Sequence, residues 1–444
     1  MKKVNFSKHW LEIGMAGMGI LMVAVAVLSD LVGAGGASGF GFKQLVLVIV
    51  GSGLIVLAGV VLKARQVGLL PTFTLLDEAE SDVHLADTAP YKQLTREILV
   101  ASNVRSVLTS VLGTIVLVLA VNFAAMWYID RYISNTGLEL VEQKWKILQN
   151  MEAPVDWLVL GDSTGNQGVV PEILENELGG TALNLCTIVP MTTLDDALML
   201  DVYIDKFGPP KNILIVHSYD AVSTEMSPFI FARVPLPWGV SSRYRFSPAL
   251  ISISQQIQIA VARHFPVYFE NGTLKNVIFD GLKSPETLFV SRKVNLGLTS
   301  KGYMPRYEPR PEDVEDDKEG HLEGIQSEEF FVTEVNIVAV DHITALAEQH
   351  GINVYIVTGP LYEDLYEDRI FQEYFAKVQA WWSEAAGRSE YVHYVTSVST
   401  FPSDEMEEVD HATHLAAEQY TENVSSEIMK LQRNTVVKNV LTEY

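Results

Sequence analysis

Hydrophobic residues are concentrated in the N-terminal part of the 444-residue chain. Residues 13–29, 44–62 and 106–129 contain no charged side chain. Apolar runs of about 20 residues are long enough to cross a bilayer as helices. The pattern therefore predicts three transmembrane helices, over about 11–32, 44–62 and 106–129, within a membrane domain that ends at residue 129. A cleavable signal peptide is the competing interpretation of the first run.

Basic side chains near the ends of these runs predict how the chain crosses the bilayer. They precede the first run, follow the second and precede the third: Lys2, Lys3, Lys8, Lys63, Arg65 and Arg105. Because Lys and Arg are enriched on the cytoplasmic side of membranes, the N-terminus is predicted to be cytoplasmic. Residues 130–444 are then predicted to be extracytoplasmic, which makes the chain a multi-pass protein of the cell membrane.

Beyond residue 129 the apolar positions follow the periods of helices and strands. Residues 130–150 place apolar side chains three and four positions apart, which predicts a linker helix. From residue 151, short apolar strands alternate with amphipathic helices, which is typical of an α/β fold with a parallel sheet. The predicted strands are 155–160, 181–185, 212–216, 352–357 and 391–395. The predicted helices are 193–207, 333–350, 368–385 and one that begins near Ala416.

Residues 221–330 interrupt this alternation. The segment is rich in proline and aromatic residues and contains the acidic run PEDVEDDKEG. Long loops at strand ends often carry binding residues, so we expect this insertion to contribute to function. Trp238 could stack on a sugar ring or on a partner surface, although packing is the simpler role. The outer domain is predicted over 151–435, with the insertion inside it.

Acidic residues dominate the predicted outer domain. The whole chain has a net charge of −23, and residues 1–128 contain 9 basic and 8 acidic side chains, so residues 129–444 carry about −24. An acidic surface repels nucleic acid and anionic lipid headgroups, which argues against both as partners. The single cysteine, Cys186, cannot form an intramolecular disulfide, so the fold depends on its hydrophobic core.

Candidate chemistry begins at Ser163, in the segment VDWLVLGDSTGNQGVVPEIL. The apolar strand ends at Gly161, so the serine is predicted at the C-terminal edge of the sheet, where α/β proteins place their active sites. Near the other end, VDHATHLAAEQYTENV contains Asp410 and His414. A serine, a histidine and a carboxylate can act as nucleophile, general base and orienting group. This predicts serine-dependent acyl transfer or ester hydrolysis; the alternative is that Ser163 only caps a helix.

These segments resemble the SGNH/GDSL hydrolase superfamily over about residues 150–430. The resemblance is greatest to its membrane-anchored branch of polysaccharide O-acetylation and teichoic-acid D-alanylation proteins. LVLGDSTGNQGVVPEIL is similar to the first block of that branch, TALNLCTIVPMTTLDDALML to the second, NILIVHSYDAV to the third and HLAAEQYTENV to the last. The resemblance implies a three-layer SGNH-like domain with Ser163 as nucleophile and His414 as base. It implies no metal and no organic cofactor.

The chain departs from the pattern of this family at the oxyanion hole. The family uses the serine N–H, a glycine N–H in block two and an asparagine amide in block three. Cys186 stands at the block-two position, and block three reads His217-Ser218-Tyr219-Asp220, without the asparagine. The Cys186 amide and the Tyr219 phenol could replace the missing donors; otherwise the site is weak or inactive. His217 and Asp220 are predicted to line the site, although His217 could equally be a satisfied buried histidine.

The triad carboxylate is displaced as well. The family places an aspartate three residues before the histidine, where this chain has His411, and Asp410 lies four residues before His414. Asp410 is nevertheless the predicted orienting carboxylate. Asp410, His411 and His414 could alternatively bind a zinc ion, since carboxylate and imidazole groups are good zinc ligands.

By this resemblance, the predicted function is that of a membrane-anchored, extracytoplasmic acyltransferase or esterase. It would add or remove O-acyl groups on a cell-surface glycan or glycoconjugate. A multispan membrane acyltransferase is the implied partner, because an outer domain cannot reach cytoplasmic acyl-CoA. The rival hypothesis is a catalytically degenerate SGNH domain that serves as a binding or scaffold subunit in surface-polymer assembly.

Overall fold

The computed structural model describes most of the chain after residue 115. The residues outside the description are 1–115, 117, 134, 235–250, 252, 266–270, 286–287, 291–294, 328, 443 and 444. The chain divides into two compact units: Met1–Ile133 with Phe265–Ser291, and Ser134–His264 with Arg292–Tyr444. All the predicted active-site residues belong to the second unit.

None of the described helices is both long enough and apolar enough to cross a membrane. This finding overturns the predicted multi-pass anchor, and with it the integral membrane association, the cell-membrane localisation and the extracytoplasmic placement of the C-terminal domain. In the third predicted span, residues 116 and 118–129 are described, and their helix continues through the charged residues Asp130 and Arg131. The predicted spans 11–32 and 44–62 lie outside the described residues.

The helix that contains the end of this third span belongs to the first unit. It runs over residues 118–132, and it packs on the helix Asn271–Lys283 through a small apolar cluster around Ile129 and Val277. The predicted linker helix over 130–150 is interrupted, because a new helix begins at Thr136. Asn135 caps that helix by accepting a hydrogen bond from the Leu138 amide.

The second unit is built on a parallel sheet of five strands. The strands of this unit are β1 (Trp157–Gly161), β2 (Ala182–Asn184), β3 (Asn212–His217), β4 (Asn353–Thr358), β5 (Leu361–Tyr362), β6 (Val392–Tyr394), β7 (Thr400–Phe401), β8 (Met406–Glu408) and β9 (His411–Ala412). The order in the five-stranded sheet is β2-β1-β3-β4-β6. Strands β5 and β7 form a small parallel pair, and β8 and β9 form an antiparallel pair. The predicted α/β class with a parallel sheet is confirmed, and each predicted strand is present.

The helices of this unit follow the predicted alternation. They are α1 (Thr136–Asn150), α2 (Ser163–Gly168), α3 (Pro171–Leu178), α4 (Thr192–Phe207), α5 (Pro228–Phe231), α6 (Ile253–His264), α7 (Pro311–Ser327), α8 (Glu334–His350), α9 (Glu363–Tyr366), α10 (Arg369–Ala386) and α11 (His414–Thr442). Helices α4, α8, α10 and α11 correspond to the four predicted helices. Helix α7 forms within the predicted insertion, in its acidic run.

The strand order locates the place where a ligand is expected. From β1 the chain crosses to β2 on one side, and from β3 it crosses to β4 on the other side. Because such parallel crossovers are right-handed, the connecting helices lie on opposite faces of the sheet, which agrees with the packing of α3 on α11 and of α4 on α8. Ligands of doubly wound sheets bind at this switch point, beyond the C-terminal ends of the strands. Here these are the ends of β1 and β3.

Gly161 allows β1 and β3 to meet closely at this point. Its φ angle is +134°, a conformation that side chains disfavour, and a Cβ atom added to it would lie 1.8 Å from the Val216 carbonyl oxygen. The next residue, Asp162, donates its backbone N–H to the same oxygen at 3.1 Å. The glycine is therefore required both by the backbone angle and by the contact with β3.

Gly161→Ala is expected to destabilise the fold much more than Gly179→Ala. Gly179 also has a positive φ angle, +75°, but a Cβ atom there would meet nothing within 4 Å. The control variant should therefore cost only the backbone strain of a side chain at a positive φ angle, about 2 kcal/mol. The steric clash should raise the cost of Gly161→Ala to about 3 kcal/mol or more. Urea unfolding monitored by circular dichroism measures both, and equal costs would contradict the account of the β1–β3 contact.

Candidate active site

Ser163 is the first residue of α2 and directly follows the turn that ends β1. Asp162 is the N-cap residue of the helix, and the five residues after Ser163 are all buried. Ser163 itself is partly exposed. The first N–H groups of a helix have no partner within the helix, and the helix dipole makes this end positive. In this turn the Thr164 N–H is bonded to the Asp162 side chain and the Asn166 N–H to the Asp162 carbonyl, whereas no hydrogen bond is described for the Ser163 N–H.

The Asp162 carboxylate joins the start of α2 to the end of β3. One oxygen accepts hydrogen bonds from the Thr164 amide at 2.9 Å and from the Thr164 hydroxyl at 2.8 Å. The other accepts from the Ser218 amide at 2.8 Å. Asp162 is only 1% exposed, so these bonds replace the water that the carboxylate loses on folding. They fix the position of Ser163 relative to β3.

His217 completes this buried network. Its Nδ1 lies 3.1 Å from Asp162 Oδ2 and its Nε2 lies 2.7 Å from Asp196 Oδ2. The ring stacks on Trp382 with a centroid distance of 6.4 Å. Burial opposes the charged form, but the two carboxylates prevail and raise the pKa of His217 from 6.5 to about 10. With both nitrogens paired, His217 is a satisfied buried histidine that supports the site and does not line it.

Small residues and one amide hold α2 against the sheet. A Cβ atom on Gly165 would lie 2.7 Å from Cys186 Sγ and 2.8 Å from Val216 Cβ. On β2, the Asn184 side chain donates to the carbonyl oxygens of Gly165 at 2.9 Å and of Val169 at 3.0 Å. Because α2 is bonded at both ends and closely packed in between, its orientation is set by the sheet.

Lys144 supports Asn184 from the other side. Its ammonium group is completely buried and donates to the Asn184 carbonyl and side-chain oxygens and to the Gly302 carbonyl, at 2.6 to 3.1 Å. Burial lowers the pKa of Lys144 from 10.5 to about 7. The lysine therefore joins α1, β2 and the loop around residue 302 into one rigid support.

Cys186 was a predicted oxyanion donor, and its backbone N–H is already occupied. It donates to Asn184 Oδ1 at 3.0 Å. The side chain is completely buried, and burial raises the pKa of the thiol well above its usual range. In this arrangement, Cys186 supplies packing against α2, and its amide has no free hydrogen for a substrate.

The Tyr219 phenol, predicted to replace the family's asparagine, is also engaged. Its hydroxyl forms a hydrogen bond with His321 Nδ1, and His321 Nε2 lies 3.4 Å from Asp317 Oδ1. Burial raises the pKa of Tyr219, so the phenol stays neutral. The neighbouring Asp220 accepts a hydrogen bond from the Ser218 hydroxyl at 2.5 Å, and burial raises its pKa.

A cleft of about 440 Å³ opens beside this segment. It begins at Tyr219 and Asp220, directly after Ser218, and extends along α7. Aromatic rings and carboxylates dominate its walls, which would suit a neutral or cationic group better than an anion. The lining residues are Tyr219, Asp220, Ser223, Thr224, Asp317, Gly320, His321, Gly324, Ile325, Glu329, Phe331 and Tyr374.

His414 begins α11, and α11 packs against α2. The structure thus brings Ser163 and His414, which are far apart in sequence, onto helices that contact each other. The His414 ring is 30% exposed; its Nδ1 lies 2.9 Å from the Tyr303 hydroxyl and its Nε2 lies 3.6 Å from Glu418 Oε1. Among the described hydrogen bonds, none joins His414 to Ser163.

Asp410, the predicted triad carboxylate, contacts a different histidine. Its Oδ1 lies 2.6 Å from His411 Nδ1, and Glu408 Oε2 lies 3.0 Å from the same nitrogen. Among the described residues, these three side chains form a group whose possible ligand atoms all lie within 4.8 Å of one another, close enough to be considered for a metal ion. Two ligands of one tetrahedral zinc ion are about 3.4 Å apart, so the 2.6 Å separation is that of a charged pair. His414 is not part of this group.

Sequence reasoning missed three residues that the structure places around the site. Asp196 lies in the apolar helix pattern TTLDDALML, where two adjacent acidic residues were a signal of a buried partner. Asp162 was inside the quoted serine motif, but its role as the residue that joins β1, α2 and β3 required the pairing of the strands. His321 lies in an acidic run, and no pattern in the sequence connected it to Tyr219.

The chain has weak similarity to known proteins. No protein-family model matches the chain, and no curated protein matches it. Among solved structures, the chain is similar to one described provisionally as a platelet activating factor from Streptococcus pneumonia, with 11% identity over 70% of this chain and 97% of that chain and a TM-score of 0.31. Similarity at this level carries no argument about function. The resemblance to the SGNH/GDSL superfamily therefore stays a prediction.

His217→Gln should cost about 3 kcal/mol or more at pH 7.5, because it leaves two buried carboxylates without their cation. The raised pKa of His217 contributes stability that is complete below pH 6.5 and is lost as the pH rises towards 10. The difference between wild type and variant should therefore shrink from pH 7.5 to pH 9.5. Urea unfolding at the two pH values measures it.

His342→Gln is the matched control for this experiment. His342 pairs with Asp201 at 3.0 Å, and this hydrogen bond raises its pKa, but its side chain is 36% exposed. Solvent screens such a pair, so the control should change stability little at either pH. A His217→Gln variant as stable as His342→Gln would contradict the buried network.

Proposed function

We propose that this chain is a serine hydrolase that cleaves or transfers ester-linked acyl groups, with Ser163 as nucleophile and His414 as general base. The observation that carries the proposal is the position of Ser163. Ser163 is partly exposed and stands at the first turn of α2, at the switch point of the sheet, next to the buried and fully paired Asp162. Such a position combines a nucleophile with N–H donors for the oxyanion.

The reaction follows from these roles. The Ser163 oxygen attacks the ester carbonyl carbon, and its proton passes to a ring nitrogen of His414. The tetrahedral intermediate collapses, the bond to the alcohol oxygen breaks, and His414 gives the proton to that oxygen. The acyl group on Ser163 is then attacked by water or by a second alcohol, with His414 again accepting the proton. Water makes the reaction hydrolysis, and a second alcohol makes it transfer.

Tyr303 is the group that we assign to orient His414. The hydrogen bond between its hydroxyl and His414 Nδ1 is 2.9 Å long. Burial raises the pKa of Tyr303, so the phenol is neutral. It can orient the His414 imidazole, but it carries no negative charge to offset the positive charge of the protonated imidazole. The mechanism requires the tautomer in which Nδ1–H donates to the phenol oxygen, because Nε2 then carries the lone pair that accepts the serine proton. In this assignment Asp410, which pairs with His411, is not required.

Membership of the SGNH/GDSL superfamily is the finer part of the proposal. It is supported by the Gly161-Asp162-Ser163 turn at the end of β1 and by the position of His414 at the start of the last long helix. The acidic and aromatic cleft beside Tyr219 is the expected location of the alcohol part of the ester. Its carboxylates favour neutral or cationic esters over anionic ones.

A non-catalytic binding role is the second candidate. It is favoured by the engagement of both predicted oxyanion donors, since the Cys186 amide bonds to Asn184 and the Tyr219 hydroxyl bonds to His321. In that case the cleft would bind a ligand and Ser163 would only begin a helix. The two candidates differ in whether the chain turns over an ester.

Ser163→Ala and His414→Ala should each lower kcat/KM for a model acetyl ester by at least about 10³-fold, because each removes a group that the reaction requires. The double variant should be hardly slower than either single variant, since the pair acts as a unit. His342→Ala, at a histidine that pairs with Asp201 away from the site, should keep full activity. Full activity in a folded Ser163→Ala variant would eliminate serine catalysis.

Tyr303→Phe should lower kcat by about tenfold, which corresponds to the loss of one hydrogen bond that orients the base. Tyr307→Phe is the matched control, because Tyr307 touches the His414 ring edge to face at 5.2 Å and is 71% exposed. No hydrogen bond is described between its hydroxyl and the base, so the control should keep full activity. Steady-state kinetics on the same ester separate the two, and equal rates would reject the assignment of Tyr303.

A further inference from the structure

The face of α2 that carries Ser163 also carries two buried amide side chains. Residues three and four positions apart lie on the same face of a helix, which places Asn166 and Gln167 beside Ser163. The other faces are used for packing: Gly165 faces Cys186, and the Thr164 side chain faces Gly359. On the serine face, Asn166 carries a buried amide that takes no part in these packing contacts.

Asn166 has a buried side chain without a partner. It is 0% exposed, and among the described residues neither its Nδ2 nor its Oδ1 atom has a hydrogen-bond partner. Its backbone is fully bonded, with its N–H to the Asp162 carbonyl at 3.0 Å and its carbonyl to the Met304 amide at 3.2 Å. An unpartnered buried amide costs about 1–3 kcal/mol, and such groups in native structures have a reason to persist.

The direction of the side chain brings this amide to the serine. In an α-helix the Cα–Cβ bonds tilt towards the helix N-terminus, so a side chain covers the turn that precedes its own residue. For Asn166 that turn begins with Ser163. We therefore expect the Asn166 side chain to extend towards the turn from which the serine attacks.

The proposed reaction also lacks a donor that this amide could provide. An oxyanion needs two or three N–H or O–H donors, and the first turn of α2 supplies the backbone one. The Cys186 amide is bonded to Asn184, and the Tyr219 hydroxyl is bonded to His321. Asn166 is the buried donor on the serine face that remains without a partner.

We propose that Asn166 is a catalytic residue of this chain, whose Nδ2–H donates a hydrogen bond to the carbonyl oxygen of the substrate as that oxygen becomes negative. Together with the backbone N–H of Ser163, it forms the oxyanion hole. The amide thus replaces the asparagine that is missing after β3, from a position one helical turn after the nucleophile. This inference rests on the proposed function of Ser163.

The test is Asn166→Leu, which keeps the shape of the side chain and removes its polar atoms. We expect kcat for a model acetyl ester to fall by about 10²- to 10³-fold, the usual effect of losing one oxyanion donor. KM should change by less than about threefold, because the lost bond strengthens only in the transition state. The rate at which a fluorophosphonate labels Ser163 should fall in parallel, since its phosphoryl oxygen occupies the same hole.

The stability of this variant separates catalysis from structure. Because the amide has no hydrogen-bond partner in the described part of the chain, Asn166→Leu should leave the urea midpoint unchanged or raise it. Ser425→Ala is the matched control, since the Ser425 hydroxyl in α11 is also buried and without a described partner. It should leave both stability and activity unchanged.

Three results would overturn the inference. Full kcat in Asn166→Leu would show that the amide does not contact the reacting oxygen. A loss of more than about 2 kcal/mol of stability, or failure to fold, would assign the amide a structural hydrogen bond. An equal fall of activity in Ser425→Ala would show a general response to core substitution. If Ser163→Ala is inactive while Asn166→Leu is fully active, the proposed function stands and only this inference fails; if Ser163→Ala is active, the proposed function itself fails.

Discussion

The buried carboxylate of Asp162 is the interaction on which the rest of the site depends. It caps α2, accepts the Ser218 amide at the end of β3 and pairs with His217. An unpaired carboxylate would be very costly in this position. The pairing of β1 with β3, the start of α2 and the burial of His217 therefore depend on one another. The requirement extends to Asp196, because the second nitrogen of His217 needs a partner as well. The position of Ser163 is a consequence of this network.

A second, mostly neutral network supports the same helix from β2. Asn184 bonds to two carbonyl oxygens of α2 and to the Cys186 amide, and Lys144 bonds to Asn184. These bonds give the Cys186 amide a role in the scaffold, because its N–H is already bonded to Asn184. On α2 itself, the buried Asn166 amide has no hydrogen-bond partner among the described residues.

Much of the fold could be predicted from the sequence, because local pattern determines it. The apolar run before Gly161 predicted β1 and hence the place of Ser163, and the spacing of apolar residues predicted α8 and α10. The network around Asp162 could not be predicted, since it joins segments that only the sheet brings together. The transmembrane prediction rested on uncharged residues alone. The described helix of the third predicted span covers residues 118–132 and includes the charged residues Asp130 and Arg131.

The partner of His414 could not be predicted from the sequence either. Its distance in sequence from Asp410 suggested a triad, but the structure pairs Asp410 with His411 and His414 with Tyr303. In the proposed mechanism, the neutral Tyr303 phenol takes the place of the triad carboxylate, so stabilisation of the oxyanion must supply more of the rate enhancement than in a full triad. The helix N-terminus and its amide side chain are the features of this chain that could meet that demand.

The central claim is that Ser163 is a nucleophile activated by its position at the switch point of the sheet. Incubation of the intact, folded chain with a fluorophosphonate, followed by proteolysis and mass spectrometry of the peptides, tests it most directly. The account predicts one covalent adduct, on the peptide that contains Ser163, and no adduct after the chain is unfolded in urea. No adduct on the folded chain, or an adduct on a different serine, would contradict it.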